Sequence, residues 1–189
     1  MDSQIEGYLL QATSAAQALP GFTAGLSDAQ FNWRPSERRW SIGQCVEHLN
    51  ISTERYIPVL TKAIADARAS GRVAGGPFAL GFFERWFLRS VEPPPRRRFR
   101  TPAAFVAPAL LSLEPTIRRF HDLQAQLSGC IRAAEGLDLR SIKVRSQFGP
   151  ISWSLNGTFA IMLAHERRHL WQAREVRVDP AFPGAVEGS

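Results

Sequence analysis

Apolar residues recur at helical spacing over four long stretches of this chain, and the segments between them are rich in proline, glycine and polar residues. In the first stretch, residues 3–18, Ile5, Tyr8, Leu9, Ala12 and Ala16 fall on one stripe, and Pro20 with Gly21 ends the run. A connection through Phe31, Trp33 and Trp40 follows, in which Ser27 with Gln30 has the pattern that caps one short turn. The second helix has a sharper start. Ser41 fits the N-cap and Gln44 stands three positions later, a capping box, while Trp40 just before it is placed to pack on Cys45. Ile42, Cys45, Leu49, Tyr56, Leu60 and Ile64 carry the apolar periodicity to about Ala69, and Gly71 stops it. Pro58 lies inside this run and predicts a kink, because proline removes one amide donor and crowds the preceding turn.

After Gly75-Gly76-Pro77, the segment Phe78 to Val91 concentrates Phe82, Phe83, Trp86 and Phe87. It reads as a short helix covering one end of the core, in preference to a dimer or lipid contact patch. Residues 92–111 contain five prolines and predict irregular structure. Ser112 then fits an N-cap, Glu114 complements the helix dipole, and Pro115 falls in the first turn, where its missing amide does little harm. Ile117, Phe120, Gln124, Leu127 and Ile131 continue to Ala134, and Gly136 closes this third helix. A polar loop over 137–151 leads to the last helix, about 153–177. Val144 and Phe148 offer only a weak hairpin signal. The pattern predicts an all-α protein: a four-helix bundle with an extra short aromatic helix in a long connection, one domain over 1–180 and a flexible tail over 181–189.

Composition narrows the class without changing that picture. The 189 residues are 44% hydrophobic and 21% charged, ordinary values for a globular domain. No apolar run approaches the roughly 18–20 residues that cross a bilayer, and the N-terminal stretch lacks the basic start and apolar core of a signal peptide. The expectation is a cytoplasmic protein with no membrane partner. Cys45 and Cys130 are the two cysteines, with no CxxC, and read as reduced, buried thiols. The net charge of +6 raises nucleic acid as a partner. However, its densest cluster, Arg96-Arg97-Arg98-Phe99-Arg100, follows three prolines and reads as a solvated loop, whereas a nucleic-acid binder usually carries its basic residues along an element or groove, with aromatics interleaved for stacking. The expectation is no nucleic acid, and a charge that favours an anionic small molecule.

Candidate chemistry lies in the histidines. His165 and His169 are four residues apart in the last helix, so both rings reach one side of it. Leu155, Thr158, Met162 and Gln172 share that face. His48, one turn beyond Cys45 on the second helix, is the leading third ligand. Three neutral imidazoles around a divalent ion leave a coordination position open, the layout of a reactive site, and imidazole donors suit Zn or Ni. His121 lies off the apolar stripe of its helix and reads as a surface residue. The string His165-Glu166-Arg167-Arg168-His169 also matches HExxH, the zinc peptidase motif. Gln172 and Glu175 stand where the extended motif needs Gly and His, and the tail offers only Glu187 as a downstream carboxylate. The peptidase reading is therefore the least favoured, although the spacing leaves Glu166 a role as a base beside an ion.

Trp40-Ser41-Ile42-Gly43-Gln44 leading into Val46-Glu47-His48-Leu49, together with Ala164-His165-Glu166-Arg167-Arg168-His169-Leu170-Trp171-Gln172, resembles the DinB-like superfamily over about residues 3–177. The resemblance implies a bundle of up-down-down-up order, frequent homodimers, and a divalent metal held by His48, His165 and His169. Characterised relatives include metal-dependent transferases and isomerases that use low-molecular-weight thiols such as bacillithiol, mycothiol or glutathione. The segment at about 70–105 looks longer than a minimal member needs, and connecting segments of this kind shape a pocket mouth. Two functions follow as expectations. One is a metal-dependent enzyme on small molecules, of the thiol-dependent S-transferase or hydrolase type. The other is a non-enzymatic, metal-stabilised binding or stress-related module.

Overall fold

The computed structural model describes residues 2–94 and 100–184. The basic run at 96–99 and the end of the tail, with Glu187, lie outside the described residues. Four long helices build the molecule: α1 (Ser3–Ala18), α4 (Ile42–Ala69), α6 (Leu113–Ala133) and α7 (Leu155–Arg177). Between α1 and α4 run the short helices α2 (Pro20–Thr23) and α3 (Asp28–Asn32), and α5 (Phe82–Val91) sits in the long connection to α6. Helices α4 and α1 each pack against both α6 and α7, so the bundle closes as a ring in the order α1, α6, α4, α7. The fold is the expected all-α bundle.

The starts of these elements follow local chemistry. Ser41 accepts a bond from the Gln44 amide while the Gln44 side chain returns to the Ser41 amide, and Ser27 and Gln30 do the same for α3. Gly43 lets α3 and α4 touch: a β-carbon there would lie 2.9 Å from the Phe31 ring and 3.2 Å from its carbonyl oxygen. Gly71 (φ 64°) and Gly136 (φ 77°) supply the left-handed residues just beyond the ends of α4 and α6. Pro20 does not simply end α1; it takes the first position of α2, where its missing amide is harmless.

Two expectations need correction. The loop 137–151 contains half of a hairpin, in which β1 (Lys143–Arg145) pairs antiparallel with β2 (Ser152–Ser154) and Val144 lies opposite Trp153. Three-residue strands with only Val144, Trp153 and Ser154 turned inward carry too little alternation to read from sequence. The aromatic helix also does not bury its rings as expected. Phe82, Phe83 and Trp86 are exposed, while Phe87, Leu88 and Val91 face the bundle.

The apolar core falls into two clusters. One gathers Ile5, Tyr56, Leu60, Leu127, Ile131, Phe159 and Leu163; the other gathers Leu19, Phe31, Ile42, Leu49, Phe120, Leu170 and Ala173. Along α7 the first ends at Leu163 and the second resumes at Leu170, and along α6 the break lies between Phe120 and Leu127. His48, Ser52, Thr53, Gln124, Glu166 and His169, all buried, occupy the gap. A polar layer therefore crosses the bundle.

Candidate metal centre

The histidines on α4 and α7 meet within that layer. Nε2 of His48 lies 3.0 Å from Nε2 of His165, and one ligating nitrogen from each of His48, His165 and His169 falls within 4.8 Å of the others. His48 and His169 are buried, and His165 keeps a partly open face. The rings stand edge to face, with centroids 4.5–4.9 Å apart. His121, by contrast, is exposed on α6.

A backbone carbonyl fixes the tautomer of His48. Nδ1 of His48 donates to the Phe105 carbonyl at 2.8 Å, from a 3-10 turn (Ala103–Phe105) in the proline-rich connection. The His48 lone pair is therefore on Nε2, turned toward His165. Nδ1 of His169 and Oε1 of Gln172 are buried without a well-formed hydrogen bond, although Gln172 stands near enough to favour the protonated ring. Burial pushes His48 below the usual imidazole range, against the opposing pull of its bond to Phe105. His165 and His169 lie well below it, first through burial and then through repulsion by neighbouring rings and by Arg168. All three rings are neutral near pH 7.

A divalent ion fits this arrangement. Nitrogens bound tetrahedrally at 2.0–2.1 Å stand about 3.3 Å from one another, close to the 3.0 Å between His48 and His165. The rings are neutral, the set is the one zinc and nickel favour, and Nδ1 of His169 has no well-formed hydrogen bond.

Aromatic rings enclose the site. Trp40 stacks on His169 (5.5 Å, 21°) and leans on His48 (5.0 Å). Rather than serving only to staple the start of α4, Trp40 roofs the histidines. Phe148, at the hairpin tip, stacks on Phe105 (4.3 Å) and lies 5.5 Å from the His165 ring. Phe105 carries no signal that sequence reasoning could have found, and Phe148 only its weak hairpin signal, because each arrives through irregular chain. Glu166 is buried on α7, and its Oε1 accepts from Nε2 of Gln124 on α6 at 2.6 Å. Its Oε2 has no partner, and burial raises its pKa to about 7.

A cavity of about 800 Å³ opens onto the three histidines. Its apolar wall includes Phe87, Val91, Phe148 and Met162; Arg38, Arg39, Arg100 and Arg168 also line it. The buried Cys45 thiol reaches the same cavity and is pushed up to about 12 by desolvation, so it remains a thiol.

The family model of the DinB superfamily matches residues 11–173. The chain belongs to the DinB superfamily. The match runs from the second half of α1 through most of α7 and so takes in all three histidines of the site. No curated protein and no solved structure shows significant similarity to the chain. DinB membership and the histidine cluster together make this a bundle able to hold a metal ion. No described helix is long and apolar enough to cross a membrane.

Proposed function

We propose that this DinB protein is a metal-dependent enzyme acting on an anionic small molecule, of the thiol-dependent transferase or hydrolase type. The observation that carries the reading is the open cavity ending on three neutral, converging imidazoles. A structural ion is normally closed off by four protein ligands, whereas three ligands at the floor of a cavity leave room for a reactant. When bound, a zinc or nickel ion at this position supplies Lewis acidity that favours the deprotonated form of a thiol or water beside it.

The residues of the chain do the rest. His48 is held in one tautomer by the Phe105 carbonyl, so its orientation is set before any ligand arrives. Trp40 and Phe148 restrict water around the rings. Glu166, with a pKa near 7 and an unpartnered oxygen on the cavity wall, is suited to accept a proton released there and return it. The arginines favour a carboxylate or phosphate on the substrate, and the apolar wall favours a hydrophobic body.

The test is elemental mass spectrometry of tag-free protein beside His48→Ala and His165→Ala, followed by turnover assays with thiol and electrophile panels. About one ion per chain, lost in both variants, and turnover that disappears with His169→Ala are expected. Turnover that persists in a metal-free variant refutes the enzyme reading. Metal binding without any turnover leaves the stress-module reading in its place.

A further inference from the structure

Helix α5 is held firmly on one side and left bare on the other. At its start, Glu84 turns inward: Oε1 accepts from the Ser154 amide at 2.7 Å and Oε2 from the Gly81 amide at 2.8 Å. Just past its end, Glu92 pairs with Arg167 of α7. Between these anchors Leu88 packs on the core, Phe87 stacks on Trp153 at 5.2 Å, and Val91 is buried. The outward face carries Phe82, Phe83 and Trp86 at 71%, 74% and 57% exposure, with Arg85 and Arg89 exposed among them. Those three rings leave roughly 400 Å² of aromatic surface in water, the size of the largest patch on a typical monomer, which is often a functional one.

We propose that this face seats the protein on an anionic membrane surface. In that arrangement α5 lies in the interfacial plane, its rings among the headgroups and Arg85 and Arg89 against lipid phosphates. Tryptophan and phenylalanine with flanking cations are the composition of a helix that lies on a bilayer without crossing it. Charge decides against a second copy of the chain as the occupant. Glu84 is the one acid within α5 and it is turned inward, so the exposed face carries two positive groups from this helix and no negative one. A two-fold contact would set that face against itself and bring like charges together. Anionic lipid complements it, and the net charge of +6 acts in the same direction. The expectation of no membrane partner rested on spanning length, which does not bear on a surface contact.

The test is co-sedimentation of the full chain with phosphatidylcholine vesicles, with and without one-third phosphatidylglycerol. Binding is expected only with the anionic lipid. Phe82→Ser/Phe83→Ser/Trp86→Ser should weaken it at least about tenfold, since binding scales with the apolar area inserted. Arg85→Gln/Arg89→Gln should weaken it about fivefold per arginine. All five side chains are exposed, so melting curves of the variants should match the wild type. Trp86→Phe keeps an aromatic ring and should bind, but should lose most of the fluorescence quenching by brominated lipid. The proposal is overturned by failure to bind, by equal binding to neutral vesicles, or by binding that survives the triple variant. A solution dimer that the triple variant splits would assign the face to a second copy instead. None of these readouts depends on metal or turnover.

Discussion

Acid should unfold the metal-stripped protein in a window where most proteins are still comfortable, and the polar layer sets the slope. His48, His165 and His169 are held neutral below their ordinary pKa of 6.5. Below pH 6.5 the unfolded chain binds a proton at each, and the folded chain resists it. Stability therefore rises with pH, and is lost as pH falls from 6.5 toward the folded values. Three such protons correspond to about 4 kcal/mol per pH unit once fully developed. Glu166 works in the opposite direction. Its folded pKa is about 7 against 4.5 unfolded, so between these values the folded state binds the extra proton and acid stabilises it. The net is about two protons, or roughly 2.7 kcal/mol per pH unit, against a total stability of about 5–15 kcal/mol. Glu166→Gln should steepen the slope toward three protons, and His165→Asn/His169→Asn should flatten it to near zero. Urea unfolding with chelator present, from pH 6.5 down to about pH 5, measures this before the ordinary carboxylates titrate. Identical slopes in the wild type and the double histidine variant would refute the reasoning.

Other outcomes follow from the same geometry. Zinc or nickel at about 100 times its Kd should add about 2.7 kcal/mol, a rise in Tm of roughly 5–10 °C by thermal shift, and His48→Ala should abolish it. Gly43→Ala forces a β-carbon against the Phe31 ring and carbonyl and should cost about 1–3 kcal/mol in urea unfolding; a neutral result would mean that α3 moves aside freely. Glu84→Ala strips the Ser154 and Gly81 amides of their acceptor, and after allowance for exposure should cost about 1–2 kcal/mol. Burial acts to raise the Glu84 pKa, but bonds from Ser154 and Gly81 and the charge of Lys143 hold it below the usual carboxylate value. Its contribution is therefore present above pH 4.5 and lost as pH falls through the folded value, so wild type and Glu84→Ala should converge in acid.

What could be read from the chain was whatever repeats or caps. Ser41 with Gln44 marked the start of α4, and helical spacing placed His165 and His169 on one helix and His48 on another. The resemblance, not the spacing, brought the two helices together. The aromatic wall formed by Phe105 and Phe148 was illegible, since both reach the histidines through a proline-rich turn and a hairpin tip, where no periodicity relates position to direction. The aromatic helix misled for a related reason. Phe82, Phe83, Trp86 and Phe87 read as one apolar run, yet about 100° per residue turns only part of it inward, and the anchors Glu84 and Glu92 choose which part.

The polar layer weakens the bundle that carries it. His165→Leu/His169→Leu would join the apolar clusters that end at Leu163 and resume at Leu170, and would remove two depressed pKa values and the unpartnered Nδ1 of His169. Stability alone therefore gives no reason for the sequence to hold Gln124, Glu166 and three histidines at one level. A ligand does give one, because an ion bound by imidazoles that are already neutral and desolvated costs no deprotonation on entry and returns stability to the level that lacks it. The fold and the site are thus linked energetically: a variant that loses the ion should lose midsection rigidity as well. Hydrogen exchange should show this first in α7 between Leu163 and Leu170, ahead of either apolar cluster.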